Sequence, residues 1–189
     1  MGFVLASGSP RRRELLCMIG LEDFSVKADD SEENIPCGLP PEQTVSGIAL
    51  QKAKNVSQFY GDDDIIIAAD TLVYLDGKPL GKPSDPADAR IMLAKLSGRR
   101  HTVYTGVAII RGAQTVTDTV RTDVVFREMT DGEISAYVES GEPMDKAGAY
   151  GAQGRGSVFV ERIEGEFFNV MGLPLCRLST MLREFGVHI

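Results

Sequence analysis

The sequence predicts an α/β fold built on a mixed sheet, and three observations predict it. Ile65-Ile66-Ile67-Ala68-Ala69 is an unbroken apolar run of strand length, the pattern of a strand covered on both faces. Residues 103–110 and 115–126 are β-branched runs separated only by Arg111-Gly112-Ala113-Gln114, which reads as a long antiparallel hairpin. Around these strands lie segments of helical spacing, such as Val45, Ile48, Ala49, Ala53 and Val56 within 41–59. Strands joined both by helices and by hairpins make a mixed sheet with helices packed on it.

Each element has a local reason. Residues 3–6 form a short apolar run ended by Ser7-Gly8-Ser9-Pro10. Pro10 suits the first turn of a helix, where its missing N–H is not needed. Leu15, Leu16, Met18 and Ile19 supply that helix with an apolar face, on which Cys17 reads as a small buried hydrophobe, and Gly20 stops it. Residues 24–26 read as a second strand, followed by the acidic loop Asp29-Asp30-Ser31-Glu32-Glu33. The run 65–69 ends at Asp70, the chain continues extended over 72–75, and Asp76-Gly77 signals a hairpin. Residues 86–96 read as a helix closed by Ser97-Gly98, and Thr130-Asp131-Gly132-Glu133 opens another that runs to about Ser140. The Gly-rich stretch 141–156 reads as loop, 157–161 as strand, and 173–185 as a closing helix carrying Met181 in the core. Met92 and Met171 also fall at core positions.

The bulk properties narrow the function. A length of 189 residues fits one domain, 1–189, or two small lobes sharing a core. Such a chain buries roughly 70% of its unfolded surface and needs no staples. With 20 Lys+Arg against 27 Asp+Glu the net charge is −7, and the pI is near 4.9. That balance argues against nucleic-acid polymers and anionic membranes as partners, unless positive charge is strongly clustered. Cys17, Cys37 and Cys176 are widely spaced, and His101 and His188 are the only histidines, so neither a zinc site nor a disulfide framework is expected. No basic region precedes the first apolar run and no apolar stretch approaches the ~20 residues of a membrane span, so the expected location is the cytoplasm.

Four groups of residues can carry chemistry. Ser7-Gly8-Ser9-Pro10-Arg11-Arg12-Arg13 places a Ser/Gly turn and three guanidinium groups at a helix start, which suits an anion or forms a solvated basic turn. Three consecutive helical residues cover most of the circumference, so one arginine at least faces solvent or the interior. Asp70 follows five apolar residues at the point where a buried strand emerges, the place where α/β sheets put ligand chemistry. It reads as a magnesium ligand, a general base or a turn cap. The Asp29, Asp30, Glu32, Glu33 loop is either solvated or a source of a second oxygen ligand. Lys52 and Lys82 are lysines beside special backbone that alone would be surface charges. Asp145-Lys146-Ala147-Gly148-Ala149-Tyr150-Gly151-Ala152-Gln153-Gly154-Arg155-Gly156 has the glycine density of a close backbone approach, and Gln153 offers an amide donor and acceptor to a base edge.

Ser7-Gly8-Ser9-Pro10-Arg11-Arg12, Ala69-Asp70-Thr71, Gly81-Lys82-Pro83, Leu96-Ser97-Gly98, Glu142-Pro143-Met144-Asp145-Lys146-Ala147-Gly148-Ala149-Tyr150-Gly151 and Gly172-Leu173-Pro174-Leu175 together resemble the Maf family of nucleoside triphosphate pyrophosphatases. The resemblance runs from about Val4 to about Phe185. It implies an elongated, twisted mixed sheet flanked by helices, related to ITPase-like enzymes, with two lobes around a nucleotide cleft. It implies cleavage of the α–β phosphoanhydride of a small-molecule nucleoside triphosphate with Mg²⁺ or Mn²⁺, and suggests a homodimer. The family's proton acceptor matches Asp70, and its other site positions match Ser7, Arg11, Glu32, Lys52 and Lys82. Asp70 and Glu32 are thereby the expected metal ligands, with Glu33 the alternative to Glu32, and Arg12 stands beside Arg11 as a phosphate-binding candidate. Arg11, Thr71 and Gln153 match the branch that takes dTTP and UTP. The branch that takes 7-methyl-GTP carries other residues there. A nucleotide-binding regulator of septum formation without turnover is the rival from another class.

Overall fold

The chain's computed structural model describes residues 1–29, 31 and 38–189. Asp30, Glu32, Glu33 and Cys37 lie outside the described residues. The elements are β1 (Phe3–Leu5), α1 (Pro10–Met18), β2 (Phe24–Val26), α2 (Pro41–Ser57), β3 (Ile65–Leu75), β4 (Lys78–Leu80), α3 (Pro86–Leu96), β5 (Arg100–Arg111), β6 (Gln114–Phe126), α4 (Asp131–Glu139), β7 (Val160–Glu164), α5 (Phe167–Met171) and α6 (Leu175–Arg183). Among the described residues the strands form one seven-stranded mixed sheet in the order β2-β1-β3-β5-β6-β7, with β4 added to β3. β1 pairs in parallel with both β2 and β3, whereas β4 on β3 and β7 on β6 are antiparallel. Asp76 and Gly77, both at positive φ, make the tight β3–β4 turn.

By its contacts the chain divides into two compact units. The first comprises Met1–Thr71, Thr105–Val120 and Gly172–Ile189. Its core shows the two-residue period of a sheet. Val4 and Ala6, Ile66 and Ala68, and Ala108 and Ile110 lie on one face, and Ala49, Ala53 and Val56 of α2 cover them. Leu5, Ile65, Ile67, Val107 and Ile109 have the opposite parity and are fully buried as well. The strands are therefore covered on both faces, as their unbroken apolar runs predict. The second unit comprises Leu72–Tyr104 and Arg121–Met171. Its core gathers Val73 and Leu75, Leu93 and Leu96 of α3, Phe126, Tyr137 of α4, and Tyr150 and Phe159 of the Gly-rich region.

Three expectations change, and one element is new. β3 runs straight through Asp70 to Leu75, so Asp70 stands mid-strand and not at a strand end. Cys17 and Met18 are exposed, because Arg12, Leu15 and Leu16 at i, i+3 and i+4 form the inner face of α1. The strand expected at 157–161 begins only at Val160, because Arg155–Phe159 winds into a 3-10 turn that buries Phe159. The short helix α5 shows no apolar period in sequence, and Asn169 within it is buried, donating to Val103 O and Thr122 Oγ1.

Candidate active site

α1 follows β1 after residues 6–9, with Ser9 at its N-cap and Pro10 in its first turn. The three arginines diverge from there. Arg13 is exposed, with Nη2 directed at Gly8 O. Arg12 turns inward: Nε donates to Gly172 O at 2.7 Å, Nη1 to Ser7 Oγ at 3.0 Å and Nη2 to Thr71 Oγ1 at 3.2 Å. Thr71 Oγ1 also lies 2.9 Å from Thr105 Oγ1. Burial lowers the Arg12 pKa, Asp70 opposes that shift and Arg11 adds to it, and the guanidinium remains a cation at neutral pH. Ser7 Oγ accepts from Ser9 N at 3.3 Å as well as from Arg12, which occupies both lone pairs and leaves the O–H to donate. Arg11 is half-buried.

α2 places Lys52 against β3. Its Nζ donates to Asp70 Oδ1 at 2.7 Å, with the two side chains 19% and 13% exposed. Asn55, one turn along on the same face, donates to Asp29 Oδ2 at 3.1 Å and to Ser31 Oγ at 2.8 Å, which ties Asp29 and Ser31 to the helix. The first unit thus brings together Ser7, Arg12 and Thr71 in one network and Lys52 with Asp70 in another. Lys82 and Gln153 are exposed and belong to the second unit, where Gly148 N donates to Gly81 O at 3.0 Å and joins their two segments. Glu32 lies outside the described residues. Among those residues no three His, Cys, Asp or Glu side chains cluster as a metal site. One or two carboxylates, completed by phosphate oxygens and water, still suit a hard cation such as Mg²⁺, so Asp70 fits that role.

Three partners escape the sequence reading. Thr105 sits inside a β-branched run and meets Thr71 only through strand order, so no local signal marks it. Tyr137 and Glu142 bond each other and the Gly-rich loop, and only the placement of Glu142 at the head of the motif hints at it.

The sequence model of Maf-like proteins matches residues 2–185. The chain belongs to the Maf-like family. The resemblance carried by the Ser7–Arg12 turn, Ala69-Asp70-Thr71 and the Gly-rich motif is thereby borne out. A dTTP/UTP pyrophosphatase of Moorella thermoacetica is 51% identical over 189 residues, spanning 98% of this Maf-like chain and 96% of that protein. A dTTP/UTP pyrophosphatase of Bacillus cereus is 48% identical over 186 residues, with 98% and 96% covered. The structure of a HAM1 protein from Coxiella burnetii aligns with a TM-score of 0.54 at 16% identity, covering 97% of this chain and 99% of that one, a likeness of fold alone. No helix among the described residues is long and apolar enough to cross a membrane.

Proposed function

We propose that this Maf-like chain hydrolyses the α–β phosphoanhydride of dTTP and UTP in the cytoplasm, giving the nucleoside monophosphate and pyrophosphate and clearing nucleotide pools. The observation that carries the reading is the half-buried Lys52–Asp70 pair at 2.7 Å, in a chain about half identical to proteins named dTTP/UTP pyrophosphatase. Asp70 accepts a proton from the attacking water, whose oxygen forms the new bond to the α-phosphorus. The α–β bridging P–O bond breaks, and its electrons leave with pyrophosphate. Lys52 fixes the carboxylate orientation. Arg11 and Lys82 neutralise phosphate charge, and the Ser7 hydroxyl donates to a phosphate oxygen. Arg12 acts through Ser7 and Thr71, since it gives three donors to protein acceptors.

Asp70, together with Glu32, would hold Mg²⁺ or Mn²⁺, and a divalent cation there supplies further neutralisation of the triphosphate. Thr71 and Gln153 meet the uracil or thymine edge. The test is pyrophosphate release from a panel of dTTP, UTP, CTP, ITP and 7-methyl-GTP with Mg²⁺, with Mn²⁺ and with EDTA. Release from dTTP and UTP that EDTA abolishes is the expected result. A preference for 7-methyl-GTP, or tight nucleotide binding without turnover, overturns the reading.

A further inference from the structure

The Gly-rich loop that carries Gln153 is held by one carboxylate and one phenol. Glu142 opens the 3-10 turn Glu142–Asp145 that follows α4. Its Oε2 accepts from Arg155 N at 3.0 Å, and its Oε1 accepts from Gly156 N at 3.2 Å and from Tyr137 Oη at 2.9 Å. Tyr137 Oη in turn accepts from Gly151 N at 3.1 Å. Gly151 precedes Gln153 by two residues, and Arg155 follows it by two. The glycines are fitted to this clamp. Gly154 has φ +100°, and a Cβ there would lie 3.0 Å from Glu142 Oε2. A Cβ on Gly156 would lie 2.6 Å from Tyr137 Oη. Lys146 Nζ adds a bond to Glu142 O at 2.6 Å. Gln153 itself is exposed.

An exposed glutamine on a free Gly-rich loop would lose backbone and rotamer entropy on meeting a ligand. Fixing the loop beforehand removes part of that cost. We propose that Glu142 and Tyr137 are positioning residues for nucleobase selection: they hold residues 151–156 so that Gln153 presents its amide to the uracil or thymine edge. The proposal rests on the reading of Gln153 given above, and in it both residues act through the loop backbone. Partial burial alone would raise the Glu142 pKa, but the N–H groups of Arg155 and Gly156, the Tyr137 hydroxyl and Lys146 together lower it, so the carboxylate is charged at neutral pH.

Tyr137→Phe keeps the ring that packs edge-on against Phe159 and removes only the hydroxyl. Glu142→Gln sets an amide N–H against a loop N–H. Steady-state kinetics with UTP and CTP, alongside Tm, form the test. For both variants KM for UTP rises about tenfold with kcat changed by less than about threefold, and the UTP-over-CTP preference falls by a similar factor. In a Gln153→Ala background Tyr137→Phe produces no further loss of preference. A lowered Tm with unchanged KM and unchanged preference in folded Tyr137→Phe overturns the proposal. If Gln153→Ala itself leaves the preference unchanged, the reading of Gln153 fails. If Gln153→Ala lowers it and Tyr137→Phe does not, the clamp alone fails.

Discussion

Lys52 Nζ lies 2.7 Å from Asp70 Oδ1, so a helix cation is pinned to a carboxylate in the middle of a sheet strand. Both side chains are mostly shielded, at 19% and 13% exposure. A charge-assisted bond in such surroundings is stronger than its solvent-exposed counterpart and fixes the carboxylate plane. A mid-strand carboxylate interrupts the apolar pattern of β3, and the strand tolerates it because Lys52 compensates the charge.

Asp70→Asn keeps the volume and removes the proton acceptor. Turnover of dTTP falls by about 10²- to 10⁴-fold, the usual worth of a positioned general base. Circular dichroism remains that of the wild type. Near-wild-type pyrophosphate release would assign the base elsewhere.

Arg12 and Thr71 are 59 residues apart in sequence and meet at 3.2 Å, so their energetics are coupled. Arg12→Lys loses the planar fork that reaches Ser7, Thr71 and Gly172 together. Thr71→Val removes the hydroxyl acceptor. Urea unfolding of the two single variants and the double variant gives a coupling energy of about 0.5–3 kcal/mol. Strict additivity would mean that the bond contributes nothing.

The strands of the first unit and the hairpin turns were legible because apolar runs and Asp-Gly or Gly-Ala turns are local signals. Arg12 as the inward arginine was legible in principle too: Leu15 and Leu16 stand three and four residues on, and that spacing marks its face. The pairing of Lys52 with Asp70, and of Thr71 with Thr105, was not. Such contacts are set by which strands and helices become neighbours: the apolar run singles out Asp70 and the family resemblance points to Lys52 and Thr71, but neither signal says which residues meet. Asp70 looked terminal because a carboxylate after five apolar residues resembles the end of a buried strand. The partner that makes it tolerable sits on a different element.

Gly106 on β5 lets α2 settle against the sheet. A Cβ at this position would lie 2.3 Å from both the carbonyl carbon and the oxygen of Val45, a backbone contact that no rotamer relieves. Gly106→Ala therefore pushes α2 away and costs about 3 kcal/mol or more. Because α2 also carries Lys52, dTTP turnover falls together with Tm. Unchanged Tm would show that helix and strand separate freely here.

His101 gives the protein an acid-side stability slope. Its ring is 2% exposed, and Nε2 lies 2.8 Å from Tyr150 Oη. Burial lowers its pKa from 6.5 to about 4, against smaller opposing effects from the Arg99 backbone and Asp123. Between these two values the unfolded chain binds a proton that the folded chain does not, so stability falls as pH drops from about 6.5 towards 4. Above pH 7 both states are neutral at this group and the effect vanishes. From pH 7 to pH 5 the group should cost about 2 kcal/mol. His101→Gln can keep a bond to Tyr150 but cannot take up the proton. Urea unfolding at pH 7 and pH 5 should show a drop in the wild type that exceeds the drop in His101→Gln by about that amount. Equal drops would mean that His101 is protonated as readily in the folded protein as in the unfolded chain.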